Sequence, residues 1–114
     1  DGGRTRMETA EAVANRRAVE ARLRDYDSVI DLEIRQRAAD LRSAQASVEA
    51  ARAGVRAAAE ARRVLAERFG AGVATNTDVL TAQLALLQAE LDLTRALANT
   101  QLAAARLDRA MGRS

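Results

Sequence analysis

The chain has 114 residues, among them 28 Ala, one Tyr and one Phe, with no Pro, Cys, His or Trp, and all 18 basic residues are Arg. Ala, Leu, Arg, Glu and Gln favour helix, and β-branched and aromatic residues are too sparse for a sheet, so composition dictates an all-α fold. The net charge of +2 hides a balance, 14 Arg against 12 acidic residues over 1–69 and four against four over 70–114, which excludes the one-signed patch that nucleic-acid binding needs.

The first predicted helix runs from about residue 5 to 69, starting at Thr5, which with Glu8 has the spacing of a capping box. Such a helix is roughly 95 Å long, far beyond the usual globular length. Ile34, Leu41, Val48 and Val55 recur every seven residues, with Phe69 in phase two heptads on. Leu23, Ile30, Ala44, Ala51, Ala58 and Leu65 form the companion series, giving a coiled-coil seam whose later small residues allow close helix approach. Arg37 and Arg62 interrupt it, with stems long enough to cover the seam while the charge stays in water. Glu20/Arg24, Asp31/Arg35 and Glu33/Arg37 are spaced as surface ion pairs. Gly54 falls mid-helix, where only close packing suggests itself.

The turn, about residues 70–75, follows. Gly70 and Gly72 are predicted to supply the positive-φ positions that end a helix. Thr75, with Asp78 three residues on, supplies a cap for the next one. A turn this short makes the two helices antiparallel neighbours. The expected domain organisation is therefore a single helical hairpin over 1–114, which cannot enclose a globular core.

The second predicted helix spans about 76–111, with Gly112 as its stop. It carries two apolar stripes, Leu80/Leu84/Leu87/Leu91 and Val79/Leu86/Leu93/Leu97, the latter continuing through Thr100, Ala104, Leu107 and Met111. The first stripe is assigned to the hairpin seam, with Leu65 by Leu80, Ala58 by Leu87 and Val55 by Leu91. A helix in a lone hairpin needs one stripe, so two imply neighbours on both sides, unless they form one broad bundle face. Folding back leaves Val13, Val19, Leu23, Tyr26 and Ile30 without a partner in the chain, about 40 Å of amphipathic helix. Apolar surface on that scale marks an interface.

No catalytic constellation and no cofactor or metal site is expected. With no His or Cys, the usual general base, thiol nucleophile and soft metal ligands are missing. The carboxylate pairs Asp25/Asp27, Asp31/Glu33 and Glu90/Asp92 are two residues apart, so on a helix they point to different faces. Gly70 and Gly72 follow no strand and read as turn residues rather than a phosphate cradle. No apolar run approaches the roughly 20 residues that span a bilayer. The opening Asp1-Gly2-Gly3-Arg4 does not look like a secretory leader.

The segment Phe69-x-x-Gly72-x-x-Thr75-x-x-Asp78-Val79-Leu80-x-Ala82-Gln83 resembles the periplasmic tip of the TolC-like outer-membrane efflux proteins. Asp1-Gly2-Gly3-Arg4 resembles the point where that family's chain leaves a β-strand for its long helix, and Leu107 to Gly112 resembles the Leu-x-x-x-x-Gly closing the returning helix. Phe69 stands where the family often has Tyr, and Ala74 where some members carry a charged gating residue. The resemblance implies one hairpin repeat, the C-terminal one, of a trimeric channel protein. Its periplasmic tunnel would meet an adaptor protein and an inner-membrane pump. Membrane contact would come only through β-barrel segments outside this chain. The tip residues Phe69, Gly70, Gly72, Val73 and Thr75 are then the expected partner-binding surface. Two other readings of the hairpin stand beside this one, the coiled-coil hairpin of a periplasmic adaptor and a cytosolic coiled-coil scaffold.

Overall fold

The computed structural model describes residues 2–113. Its elements are two helices, α1 (Gly2–Gly70) and α2 (Asn76–Ala110), joined by a five-residue turn. The chain divides into two compact units, residues 1–36 and residues 37–114.

The first unit is a single helical segment. The helix is already formed at Gly2, so it does not start at Thr5 as the Thr5/Glu8 spacing suggested. An N-cap needs an extended backbone, whereas Thr5 is helical and its carbonyl accepts from Thr9 Oγ1 at 2.9 Å. Glu8 instead lies 3.6 Å from Arg4 one turn earlier. Asp1, the first residue of the Asp1-Gly2-Gly3-Arg4 segment, lies outside the described residues. From residue 2 to 33 only Val13 and Ala21 are partly covered, and Val19, Leu23, Tyr26 and Ile30 are exposed. Asp31 and Arg35 pair at 3.0 Å. Glu20 and Arg24 form no ion pair among the described residues.

The second unit is a helical hairpin made of residues 37–70 of α1 and the whole of α2. On α1 the covered positions include Leu41, Ala44, Val48, Ala51, Val55, Ala58 and Leu65, with Val48 buried. From Leu41 to Ala58 these alternate in steps of three and four, the spacing that keeps one seam facing a partner helix, and exposed Arg62 interrupts the series before Leu65. On α2 the covered positions are Val79, Ala82, Leu86, Ala89, Leu93, Ala96, Thr100, Ala103, Leu107 and Ala110, again in steps of three and four, with Ala104 partly covered beside them. Matching the covered positions of the two helices outward from the turn pairs Leu65 with Val79, Ala58 with Leu86, Ala51 with Leu93 and Val48 with Ala96. Most layers thus set one branched residue against one Ala, which lets the helices approach closely. Fully burying a residue such as Val48 contributes about 1.5–3 kcal/mol. Thr100, the polar member of the series, donates its hydroxyl to the Ala96 carbonyl at 3.1 Å and so leaves no orphan donor in the seam.

This overturns the assignment of the Leu80/Leu84/Leu87/Leu91 stripe to the seam. All four are exposed, Leu84 to 59%, while Ala96 is exposed to only 9%. The covered positions at 79, 86 and 93 stand beside that stripe rather than on it, and one residue on a helix is a rotation of about 100°. Leu97 and Met111 are likewise exposed, and Phe69 in the last turn of α1 does not extend the seam. At the far end of the hairpin, Arg37 pairs with Asp40 at 3.0 Å rather than with Glu33, and its side chain is half-buried over the seam.

Candidate functional site

The tip is built by two local motifs. Gly72 takes φ +78°, and two hydrogen bonds close the end of α1 around it. Gly72 N–H donates to the Phe69 carbonyl at 3.0 Å, and Val73 N–H donates to the Arg68 carbonyl at 2.9 Å. This is a Schellman motif, which satisfies helix-end carbonyls and needs a residue without Cβ at the left-handed position. Gly70 is not part of that device: it is the last residue of α1 and has no positive φ. The same motif recurs at Gly112, also at φ +78°, with Arg113 N–H donating to the Asp108 carbonyl at 2.7 Å.

α2 starts at a reciprocal cap. Thr75 is extended (φ −91°, ψ 162°), and its hydroxyl accepts from Asp78 N–H at 3.1 Å. The Asp78 carboxylate accepts from Thr75 N–H at 2.9 Å. Hydrogen bonding to the Thr75 backbone, and then to its side chain, holds the Asp78 carboxyl below the usual carboxylate range.

Between these motifs, residues 69–75 carry no charge. Phe69 is 48% and Val73 is 73% exposed, so the tip presents two apolar side chains to its surroundings, and Ala74 is partly covered. A shallow groove beside the tip is lined by Arg62, Arg63, Ala66, Glu67, Val79 and Gln83. Its wall is fixed by a charge triad. Arg63 grips Glu60 with two nitrogens at 2.9 and 2.6 Å and reaches Glu67 at 2.7 Å. The hydrogen bond from Arg63 lowers the Glu60 carboxyl and its reciprocal raises the Arg63 guanidinium. The triad is a feature that the sequence reading missed, although the Glu60-x-x-Arg63-x-x-x-Glu67 spacing carries it.

The tip and the seam are separate regions. Phe69, Gly70, Gly72, Val73 and Thr75 cluster at the turn, while Ile34, Leu41, Val48, Val55 and Leu65 run along the covered face of α1. Leu80, Leu84, Leu87 and Leu91 lie on neither: they form an open apolar ridge on α2, on the far side from the seam. No helix of the described residues is long and apolar enough to cross a membrane.

No curated protein and no solved structure matches the chain. The sequence does match the family of outer membrane efflux proteins over residues 1–113, which takes in both helices and the turn. That family is one of transport rather than of enzymes. With a proline-free α1, a glycine-closed tip, a capped α2 and a family match of this extent, the chain belongs to the outer membrane efflux protein family.

Proposed function

We propose that this chain forms part of the periplasmic tunnel wall of an outer-membrane efflux channel, and that its tip docks an adaptor protein in a tripartite export system with an inner-membrane pump. The observation that carries the reading is the pair of apolar faces on α2. One is covered by α1; the other, the Leu80/Leu84/Leu87/Leu91 ridge, is open. A helix in a wall has a neighbour on each flank, so both faces are used, whereas a free-standing hairpin needs only one. The family match favours this over an adaptor hairpin or a cytosolic scaffold. Assembly of the parent protein as a trimer belongs to the same proposal.

The tip supports the second half. An uncharged surface carrying exposed Phe69 and Val73, held by a Schellman motif on one side and a capping box on the other, is a preformed apolar surface of the kind partners dock on. Val73 is the better probe, because Gly72→Glu would add backbone strain at φ +78° to any loss of docking. In the full-length parent, Val73→Glu is expected to abolish export, read as drug susceptibility of cells, while trimer yield and outer-membrane insertion stay normal. Normal export with this variant would remove the tip from the functional surface.

A further inference from the structure

Two arginines interrupt the seam of α1, and the chain treats them differently. Arg37 is answered by Asp40 at 3.0 Å. Arg62 has no ion-pair partner among the described residues. The positions three and four away from it on α1 are Ala58, Ala59, Leu65 and Ala66. Of the carboxylates nearby, Glu60 and Glu67 are both taken by Arg63, and Asp78 is held in the cap of α2. The same matching of covered positions sets Arg62 against Ala82, which is only 7% exposed. A Leu at 62 would carry the seam on to Leu65, whereas a charge at a seam position costs stability. Nothing within the chain offsets that cost.

We infer that Arg62 is the charged contact of the docking surface: its guanidinium receives a carboxylate side chain of the partner protein that seats on the tip. The inference rests on the docking reading proposed above and adds the residue and the chemistry that select the partner. Position supports it. Arg62 lies about 12 Å along α1 from Gly70, in the groove that it lines with Ala66, Val79 and Gln83. That groove is walled by both helices of one hairpin, so it is distinct from the Leu ridge. A partner resting on Phe69 and Val73 meets it next. Charge supports it as well. Arg63 is locked between Glu60 and Glu67, which leaves Arg62 as the uncompensated cation of the groove. A guanidinium takes a carboxylate through two parallel hydrogen bonds. Across from it, Gln83 offers amide N–H groups to the same carboxylate. With Ala66 and Val79 as apolar lining, a pair covered by the partner is screened less than one in open water.

Removing the charge separates a contact with a partner from a role inside the hairpin. On the 114-residue chain, Arg62→Leu completes the seam, so the thermal midpoint should rise. In the full-length parent, Arg62→Leu and Arg62→Glu should each lower export at least about tenfold, read as drug susceptibility of cells, with trimer yield and outer-membrane insertion unchanged. Arg62→Lys keeps the charge but loses the planar fork, and should retain part of the export. Selection for restored export in Arg62→Glu cells should yield changes that replace an acidic residue in another protein of the export system. Normal export with Arg62→Glu, or a lower midpoint for Arg62→Leu, would overturn the inference. So would a fall in trimer yield or suppressors confined to the parent itself, since either would place the carboxylate in the parent's own wall. Val73→Glu distinguishes this failure from that of the docking reading. Export lost with Val73→Glu but kept with Arg62→Glu overturns the charged contact alone, whereas export kept by both removes the docking reading too.

Discussion

The two long faces of α2 use apolar residues in opposite ways. The covered face alternates Val or Leu with Ala, so that Ala82, Ala96 and Ala103 are among the most buried residues of the hairpin. The open face places Leu at 80, 84, 87 and 91, with about half of each side chain exposed. Hydrophobicity alone ranks the faces the wrong way round. Cover is decided by which face can approach α1 closely along its whole length, and Ala at alternate layers permits that approach where a continuous Leu ridge does not. The larger face is then left for something outside the single chain.

The sharpest way to break this comparison is to alter one residue on each face and measure unfolding by denaturant at a concentration where the chain is monomeric. Ala96→Leu overfills a buried layer opposite Val48 and is expected to cost about 1–3 kcal/mol. Leu87→Ala removes a larger side chain from the open face and is expected to change stability by no more than about 0.5 kcal/mol. Equal effects would mean that the two faces are not distinguished by cover.

The cap tests whether the register of α2 is set at the tip. Thr75→Ala removes the hydroxyl that accepts from Asp78 N–H and is expected to cost about 1 kcal/mol. Asp78 and Glu60 have folded-state pKa values below their unfolded ones, so their contributions are complete above the unfolded carboxylate range and fade as pH falls through the lowered values. Hairpin stability is therefore expected to fall on acidification below about pH 4, and Asp78→Asn should flatten part of that fall. A pH-independent hairpin over that range would contradict the assigned carboxylate roles.

The smallest expected effect is a gain. Gly54→Ala meets open space in a regular stretch of α1 and is expected to stabilise the monomeric chain by about 0.5–1 kcal/mol. A loss would mean that Gly54 packs within the hairpin after all.

The elements were legible in the sequence because their chemistry is local. A proline-free, Ala-rich run continues as helix. A glycine between two such runs marks the break, and a Thr with an Asp three residues on can cap by itself. The heptad on α1 is equally visible, since Leu41, Val48 and Val55 have no rival stripe. On α2 the choice between two apolar stripes was not legible from residue type, because the wrong one holds the larger side chains. One signal was available: the steps of three and four from Val79 through Ala82, Leu86, Ala89, Leu93 and Ala96 run unbroken to Ala110, whereas the Leu run ends at Leu91. A seam has to last as long as the pairing does. Gly70 differs from its sequence expectation for a related reason: either of two nearby glycines can close a helix, and the hydrogen bonds to the Arg68 and Phe69 carbonyls select Gly72. At the other end, the Thr5/Glu8 spacing matches a capping box, but Thr5 lies inside the helix, where its backbone is not extended as an N-cap requires.

The central claim, that α2 turns its Val79/Leu86/Leu93 face to α1 and its Leu80/Leu87/Leu91 ridge away, has a direct test by disulfide formation. A disulfide needs Cα atoms within about 7 Å and Cβ vectors that converge. Ala58→Cys with Leu86→Cys joins positions level with each other on the two covered faces, so oxidation should give a fast-migrating monomer with an intrachain bond. Ala58→Cys with Leu87→Cys moves the second thiol about 100° around α2, so it should give no intrachain bond under the same conditions. Efficient intrachain closure of the 58/87 pair with failure of the 58/86 pair would contradict the account and return the Leu ridge to the seam.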